Sequence, residues 1–488
     1  MKKDKILITA IVFAIVVIAS TGIAWLLVGL VAASKFGLII AGFAGVIYFA
    51  EYMGFLPGSA PRMQADITPV ATDDTTLEEL FGITKTESEV GCNISDLPNP
   101  NSVLIPNTIK LDSQAALQKL GEKVVDFYKN RKIELQYAGG QSGANVNLIK
   151  FREADGATVK TTDIKKHLVD LTRQLTNTKF PIGVDDITFI DIIPGETSFG
   201  FYLPSMQNNI VRLHNLISDP NFLQYIDKNT LKFGKTCLLN TVPFLLGSGG
   251  QMGQIIYNNA VEEPHLLIAG ATGAGKSVSI NSLISTLLLL HTPQSLHLYL
   301  GDPKIVEFQE YRGLPHVKGF ETKPEKIVEM IGGVLQEMEK RYQVLGEKGK
   351  KNIYEYNRSI RKPENFMPYV VLVIDEFADL MTTTNNNTFT EYVQRIAQMA
   401  RAAGIFIILA TQRPSVEVIP GIIKANFTNR IAFRCASEID SRVILDSPLA
   451  ATLLGRGDGL IKNSHGITRF QGVYIDDVEI NRIIKFWE

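Results

Sequence analysis

Gly270-Ala271-Thr272-Gly273-Ala274-Gly275-Lys276-Ser277 is the stretch that decides how this chain is read. It is a complete G-x-x-x-x-G-K-S run, and its surroundings fit its spelling. The apolar stretch His265-Leu-Leu-Ile-Ala269 leads into it as a strand, and the apolar-periodic residues 276–290 leave it as a helix. Glycines let such a loop curl until main-chain N–H groups converge, and a helix starting at Lys276 adds the positive end of its dipole. Gly270 through Val278 are therefore the expected seat of an ATP triphosphate. Lys276 is expected to reach the outer phosphates, and the Ser277 hydroxyl to bind Mg²⁺.

The pattern around this loop alternates strands and helices. Strands are predicted at 265–269, 295–300, 369–374, 405–410 and 430–434, and helices at 276–290, 324–345, 389–403 and 438–444. That order is the one of an α/β domain built on a parallel sheet. Tyr369-Val-Val-Leu-Val-Ile374 reads as a buried central strand, and Asp375-Glu376 stand at its C-terminal tip, where ligands of such sheets sit. Asp375 is expected beside the Mg²⁺ and Glu376 on the attacking water. The next strand ends in Ala410-Thr-Gln-Arg-Pro414, so Gln412 can report on the outermost phosphate. Hydrolysis also calls for an arginine on the transferring phosphoryl group, often from a neighbouring subunit. Arg401 is the first candidate and Arg430 the second.

The other end of the chain has a different character. Ile6 to Ala50 is 45 residues with Lys35 as its one charge. As one helix it would measure about 68 Å, twice the hydrocarbon thickness of a bilayer. It reads as two transmembrane helices within 1–56, and Lys2, Lys3 and Lys5 place the N-terminus in the cytoplasm by the positive-inside bias. The chain is thus expected in the cell membrane, with everything after the second span cytoplasmic. Residues 57–110 hold prolines and acidic pairs without long apolar periodicity and read as a flexible linker. From 111 to 230 helix and strand patterns of a small α+β domain follow, and 231–488 is the nucleotide-binding domain.

The net charge of −1, from 49 basic and 50 acidic residues, excludes a protein that coats nucleic acid with one broad basic face. Any such contact must be local. Cys92, Cys237 and Cys435 have no metal-like spacing and read as free thiols.

At this density of motifs the chain resembles the FtsK/SpoIIIE family of DNA translocases. The shared runs include Pro264 to Ser277, Asp302-Pro-Lys304, Glu337-Met-Glu-Lys-Arg-Tyr342, Asp375-Glu-Phe-Ala-Asp-Leu380 and Arg401-Ala-Ala-Gly404. They continue with Ala410 to Ser415, Ile423-Lys-Ala-Asn426, Asp440-Ser-Arg442 and Leu453-Leu-Gly-Arg-Gly-Asp458, while Ile193-Pro-Gly195 and Tyr202-Leu-Pro204 extend them into the small domain. The resemblance implies a RecA-like P-loop ATPase domain, a homo-hexameric ring around double-stranded DNA, and channel-facing loops carrying Arg413, Lys424 and Arg442. Ala274 replaces a serine usual in the family, and the winged-helix domain that reads DNA sequence in relatives is not expected here. Two other cargo readings stay open: a DNA-transfer coupling ATPase of the conjugation type, and a secretion ATPase that moves protein.

Overall fold

The computed structural model describes residues 97–488, apart from 155, 157, 177–186, 192, 194–196, 206–208, 250–253 and 384–385. The two expected membrane spans fall outside the described residues. Among the described residues no helix is long and apolar enough to cross a membrane.

The alternating residues 144–153 become the second strand of a small antiparallel sheet. Its strands are β1 (Leu135–Ser142), β2 (Val146–Glu153), β3 (Thr188–Ile190) and β4 (Phe199–Pro204), in the order β1-β2-β4-β3. The helix Gln114–Lys129 covers it, its first turn capped by the Ser113 hydroxyl on the Ala116 N–H at 3.2 Å. Leu117, Leu120, Val124 and Phe127 on that helix share a core with Ile149, Phe151 and Phe201 of the sheet.

A hairpin of β5 (Thr230–Phe233) and β6 (Thr236–Leu239) follows. Then comes one ten-stranded sheet. It contains β7 (Pro243–Gly249), β8 (Ile255–Asn259), β9 (Leu266–Ala269), β10 (Leu296–Gly301) and β11 (Val317–Glu321). Its remaining strands are β12 (Tyr369–Ile374), β13 (Ile405–Thr411), β14 (Asn429–Phe433), β15 (Asp458–Asn463) and β16 (Gly466–Gly472). The order is β11-β10-β12-β13-β9-β14-β15-β16-β7-β8. The six strands from β11 to β14 run parallel, as expected. The remaining four are antiparallel, which the expectation of a parallel sheet did not include. Strand β13 lies between the strand that feeds the glycine loop and the strand that carries Asp375-Glu376, and this insertion shapes the site.

The domain boundary at 230 does not match the packing. Leu213, Leu216, Ile217, Phe222 and Ile226 bury themselves against β7 and the helix Lys276–Leu290, in the core of the large sheet. The linker reading of 57–110 is also corrected at its end. Residues Pro100–Val103 form a helical turn, Val103 and Leu104 enter the same core, and the Ile105 N–H donates to Glu479 at 2.7 Å. Apolar residues that find a core do not remain a tether. Cys435 is a buried free thiol, but Cys237 is disulfide-bonded and not free as expected.

Three buried histidines set an acid limit on this core. His265, His291 and His316 are almost wholly inaccessible, and burial lowers them from 6.5 to about 4, about 3 and about 4. Their folded values lie below the unfolded one, so the unfolded chain binds more protons and stability falls as pH drops from 6.5 toward 4. Each should cost about 2 kcal/mol by pH 5, at about 1.4 kcal/mol per pH unit. Urea midpoints at pH 7.5 and pH 5 should differ accordingly, and the drop should shrink in His316→Gln. An unchanged midpoint would contradict neutral burial.

Candidate active site

The glycine loop is bolted to a second turn. Gly275 sits at φ 120°, and a Cβ there would lie 2.7 Å from Gly457 N and 2.8 Å from Gly457 Cα. The Gly457 N–H donates to Ala274 O at 2.8 Å, and the Ala271 N–H to Arg434 O at 2.8 Å. Gly455, Arg456 and Gly457 all have positive φ, which explains the glycines of Leu453-Leu-Gly-Arg-Gly-Asp458. The helix Lys276–Leu290 starts without any side-chain cap, so its first N–H groups face the loop and suit an anion.

Lys276 is buried and its ammonium pairs with Asp375, donating also to the Asp375 carbonyl at 3.3 Å. Burial pushes the Asp375 carboxyl above its ordinary value although Lys276 opposes this. Glu376, 2% exposed, is gripped from the inserted strand. Thr411 Oγ1 donates to its Oε1 at 2.6 Å, and the Gln412 N–H to its Oε2 at 3.0 Å. The Gln412 side chain accepts from Thr272 Oγ1 at 2.9 Å, which ties the glycine loop to β13.

Two residues in the loop after β10 escaped the sequence reading of the site. Ser277 Oγ donates to Glu307 Oε1 at 2.7 Å, and Lys304 Nζ donates to Glu376 Oε2 at 3.1 Å. The Asp302-Pro-Lys304 run was visible as a shared motif, but nothing in its spacing told where the chain would fold back. Buried Asp302 closes this loop by accepting from the N–H groups of Glu307 and Phe308 at 2.9 and 3.1 Å. Ile305 lies at φ 59°, a left-handed conformation that costs a β-branched residue about 1–3 kcal/mol.

The residues present fit a divalent cation. Asp375 Oδ2 is buried with no hydrogen-bond partner among the described residues. The Ser277 hydroxyl, by giving its proton to Glu307, turns its lone pairs away from that carboxylate. Mg²⁺ bound there would neutralise phosphate charge, with Ser277 and Asp375 holding it and Glu307 orienting Ser277. Beside the loop opens a cavity of about 510 Å³ that runs from Ser277 and Gln412 past Arg456 to Val211, Val473 and Tyr474. Its depth past the phosphate end suits a nucleoside.

The remaining candidates lie elsewhere. Arg401 is exposed, donates to Val261 O at 2.9 Å, and precedes β13, whose seven residues, about 23 Å long, separate it from Gln412. It does not reach its own chain's loop. Arg430 is corrected to a structural role. Its guanidinium donates to the carbonyls of Phe427, Lys424 and Ile444 and to Asp446, all within the chain. Arg413 is exposed next to Gln412. Lys424 pairs with Asp446 at 2.6 Å and touches the Arg442 carbonyl at 3.4 Å, which places Lys424 beside Arg442. Arg442 itself is more than half exposed, 3.5 Å from Glu438.

Loop, inserted strand and second carboxylate together define the class: a P-loop α/β nucleotide-binding domain. Residues 239–416 match the model of the FtsK/SpoIIIE family, so this part of the chain is a domain of that family. A DNA translocase FtsK of Oceanobacillus iheyensis is 36% identical over 405 residues, which are 80% of this chain and 48% of that protein. DNA translocase FtsK 2 of Neisseria meningitidis is 34% identical over 440 residues, 85% of this chain and 38% of that one. The chain thus spans less than half the length of these relatives. A solved structure, the pCW3 conjugation coupling protein TcpA in a monomer form with ATPγS, aligns over 77% of this chain and all of its own at 25% identity and a TM-score of 0.50.

Glu307→Gln should raise the Mg²⁺ concentration that half-saturates Mg²⁺-dependent binding of a fluorescent ATP analogue by about tenfold, since partners that orient a ligand carry that much metal affinity. Metal-free binding of the analogue should stay the same. An unshifted Mg²⁺ titration would remove Glu307 from the metal site.

Proposed function

We propose that this chain is an ATP-driven motor that moves double-stranded DNA with little regard to sequence. The observation that carries the proposal is the placement of Glu376 one strand from the glycine loop, where Thr411 and Gln412 fix it from β13. A nucleotide switch has no need of a second fixed carboxylate; a hydrolase needs one to polarise water. In this reading the triphosphate lies on residues 270–278 and the nucleoside extends toward Val473 and Tyr474. Lys276 holds the outer phosphates, Gln412 reports their presence to Arg413, and Arg401 serves the site of a neighbouring copy. The names of the relatives support DNA as the cargo.

The same reading makes the working unit a homo-hexameric ring anchored in the cell membrane by residues 1–56, with the motor in the cytoplasm. Six copies of Arg413, Lys424 and Arg442 line a channel with cations while each chain stays near neutral, with its net charge of −1. The biological setting has two forms. One is movement of chromosomal DNA; the other is transfer of plasmid or mobile-element DNA between cells, which the full-length alignment of the coupling protein favours.

Steady-state ATP turnover of the full chain in detergent should rise strongly with duplex DNA of any sequence. Glu376→Gln should bind the ATP analogue normally, lose turnover by about 10²-fold or more, and stay trapped on DNA. Stimulation by a secreted protein and not by DNA would move the chain to the protein-secreting branch. Normal turnover in the glutamine variant would place water activation elsewhere.

Lys424→Ala with Arg442→Ala should weaken duplex binding equally on unrelated sequences, because phosphate contacts carry no sequence information. The slope of log affinity against log salt should flatten by about 0.9 for each phosphate that the variant no longer neutralises. Fluorescence-anisotropy titrations at several salt concentrations measure both. A full salt slope in the double variant would take these residues off the DNA.

A further inference from the structure

We propose that Lys304 is a positioning residue that holds Glu376 in a waiting arrangement and so restrains ATP turnover in the absence of DNA. The inference rests on the hydrolytic role proposed above for Glu376. A carboxylate offers about four lone-pair sites, and a base that activates water must keep one of them free and aimed at that water. Here both oxygens are in use. Oε1 accepts from Thr411 Oγ1 at 2.6 Å and from the Gln412 N–H at 3.3 Å, while Oε2 accepts from the Gln412 N–H at 3.0 Å and from Lys304 Nζ at 3.1 Å.

These donors differ in kind. Thr411 and the Gln412 N–H belong to the tip of β13 and are fixed by the sheet. Lys304 reaches in from a loop on a long side chain that remains 38% exposed. It alone can leave without disturbing a strand. It is also the donor with a full charge, and its bond takes up a lone pair that a free carboxylate could turn to a water.

The loop is built for release. Residues 302–307 are held at the nucleotide site by Lys304 on Glu376 and Glu307 on Ser277. Between these two contacts, Ile305 takes a left-handed φ of 59°, and Ile305 and Val306 are 58% and 72% exposed. A β-branched residue in that conformation and two apolar side chains in water mark a shape that the loop's own residues do not favour. The contacts at its ends maintain it together with the Asp302 carboxylate, which accepts from the Glu307 and Phe308 N–H groups.

The test is Lys304→Met, which keeps the stem and removes the charge, beside Lys304→Arg, which keeps the charge. ATP turnover is measured with and without saturating duplex DNA, together with affinity for a fluorescent ATP analogue and the thermal midpoint of each variant. In the methionine variant, turnover without DNA should rise about threefold or more, as freeing a general base permits, and the DNA-stimulation ratio should fall by a similar factor. Analogue affinity and thermal midpoint should hold, and the arginine variant should behave as wild type. Loss of turnover together with analogue affinity would make Lys304 a phosphate ligand and overturn the proposal. Loss of turnover at unchanged affinity would mean that Lys304 activates Glu376, and unchanged turnover with and without DNA would make the pair incidental; each overturns it. A wild-type chain that hydrolyses no ATP under any condition would sink the underlying reading instead, before the variants are compared.

Discussion

Two main chains in contact, Gly275 against Gly457, are the constraint on which the site depends. The glycine loop can present its N–H groups only if something rigid backs it, and a side chain on Gly275 would push the support away, while one on Gly457 would meet the Gln471 side chain. The support is itself anchored. Asp458, next to Gly457, accepts two bonds from Arg469, at 2.9 and 2.6 Å, and one from the Leu454 N–H at 2.7 Å. Arg469 and Asp458 are almost fully buried, so neither can be removed without stranding the charge of the other, a loss of about 3–5 kcal/mol. The Arg469 guanidinium also lies 4.9 Å from the centre of the Tyr202 ring, at the end of β4 in the small sheet. A continuous line of contact therefore runs from the phosphate loop through the Gly455–Asp458 turn to the small domain. A displacement at the loop has a physical route to that domain, and it starts at Gly275 and Gly457 on the cavity wall.

Much of this was legible in the sequence, for reasons that also explain what was not. Six apolar residues ending in two acids describe a buried strand and its ligand-facing tip, and Tyr369–Ile374 was bounded as the structure has it. The helix Lys276–Leu290 was equally plain, because a glycine loop before it and a leucine-rich face through it fix both ends. The four antiparallel strands of the large sheet were missed. Its strands β15 and β16 carry lysine, asparagine and arginine, and turn around Ser464 and His465 without an asparagine–glycine signal. Strand β1 was missed because Gly139 and Gly140 break its alternation at a bulge. Arg430 was misassigned for a different reason. An arginine at a strand's start reads the same whether it faces a neighbour or caps its own chain's carbonyls.

The cations beside the proposed DNA contacts follow one rule. Asp446 closes the helix Glu438–Leu445 in a left-handed conformation and gathers Lys424, Arg430 and Lys462 around its carboxylate. Burial alone would raise that carboxyl, yet the hydrogen bonds from Lys424 and Lys462 hold it well below its ordinary range. Three positive charges on one acid leave a net surplus on this surface, which a polyanion can use while the chain as a whole stays near neutral. The pairing has a second effect. It holds the Lys424 ammonium in place beside the Arg442 backbone carbonyl. The ion pair of Arg442 with Glu438, both more than half exposed, contributes little by comparison.

Asp375 and Glu376 are neighbours, both buried, and two like charges out of water need cations close by. In this structure those cations are Lys276 and Lys304, one for each acid. An incoming triphosphate competes for the same lysines with several negative charges against one. If Lys276 turns to the phosphates, Asp375 is left buried, already raised by desolvation, with an oxygen that has no partner among the described residues. Another positive charge must then arrive with the nucleotide for the carboxylate to remain ionised. A divalent cation arriving with the nucleotide would compensate Asp375 where its Oδ2 has no partner among the described residues; without one, the acid would have to take up a proton.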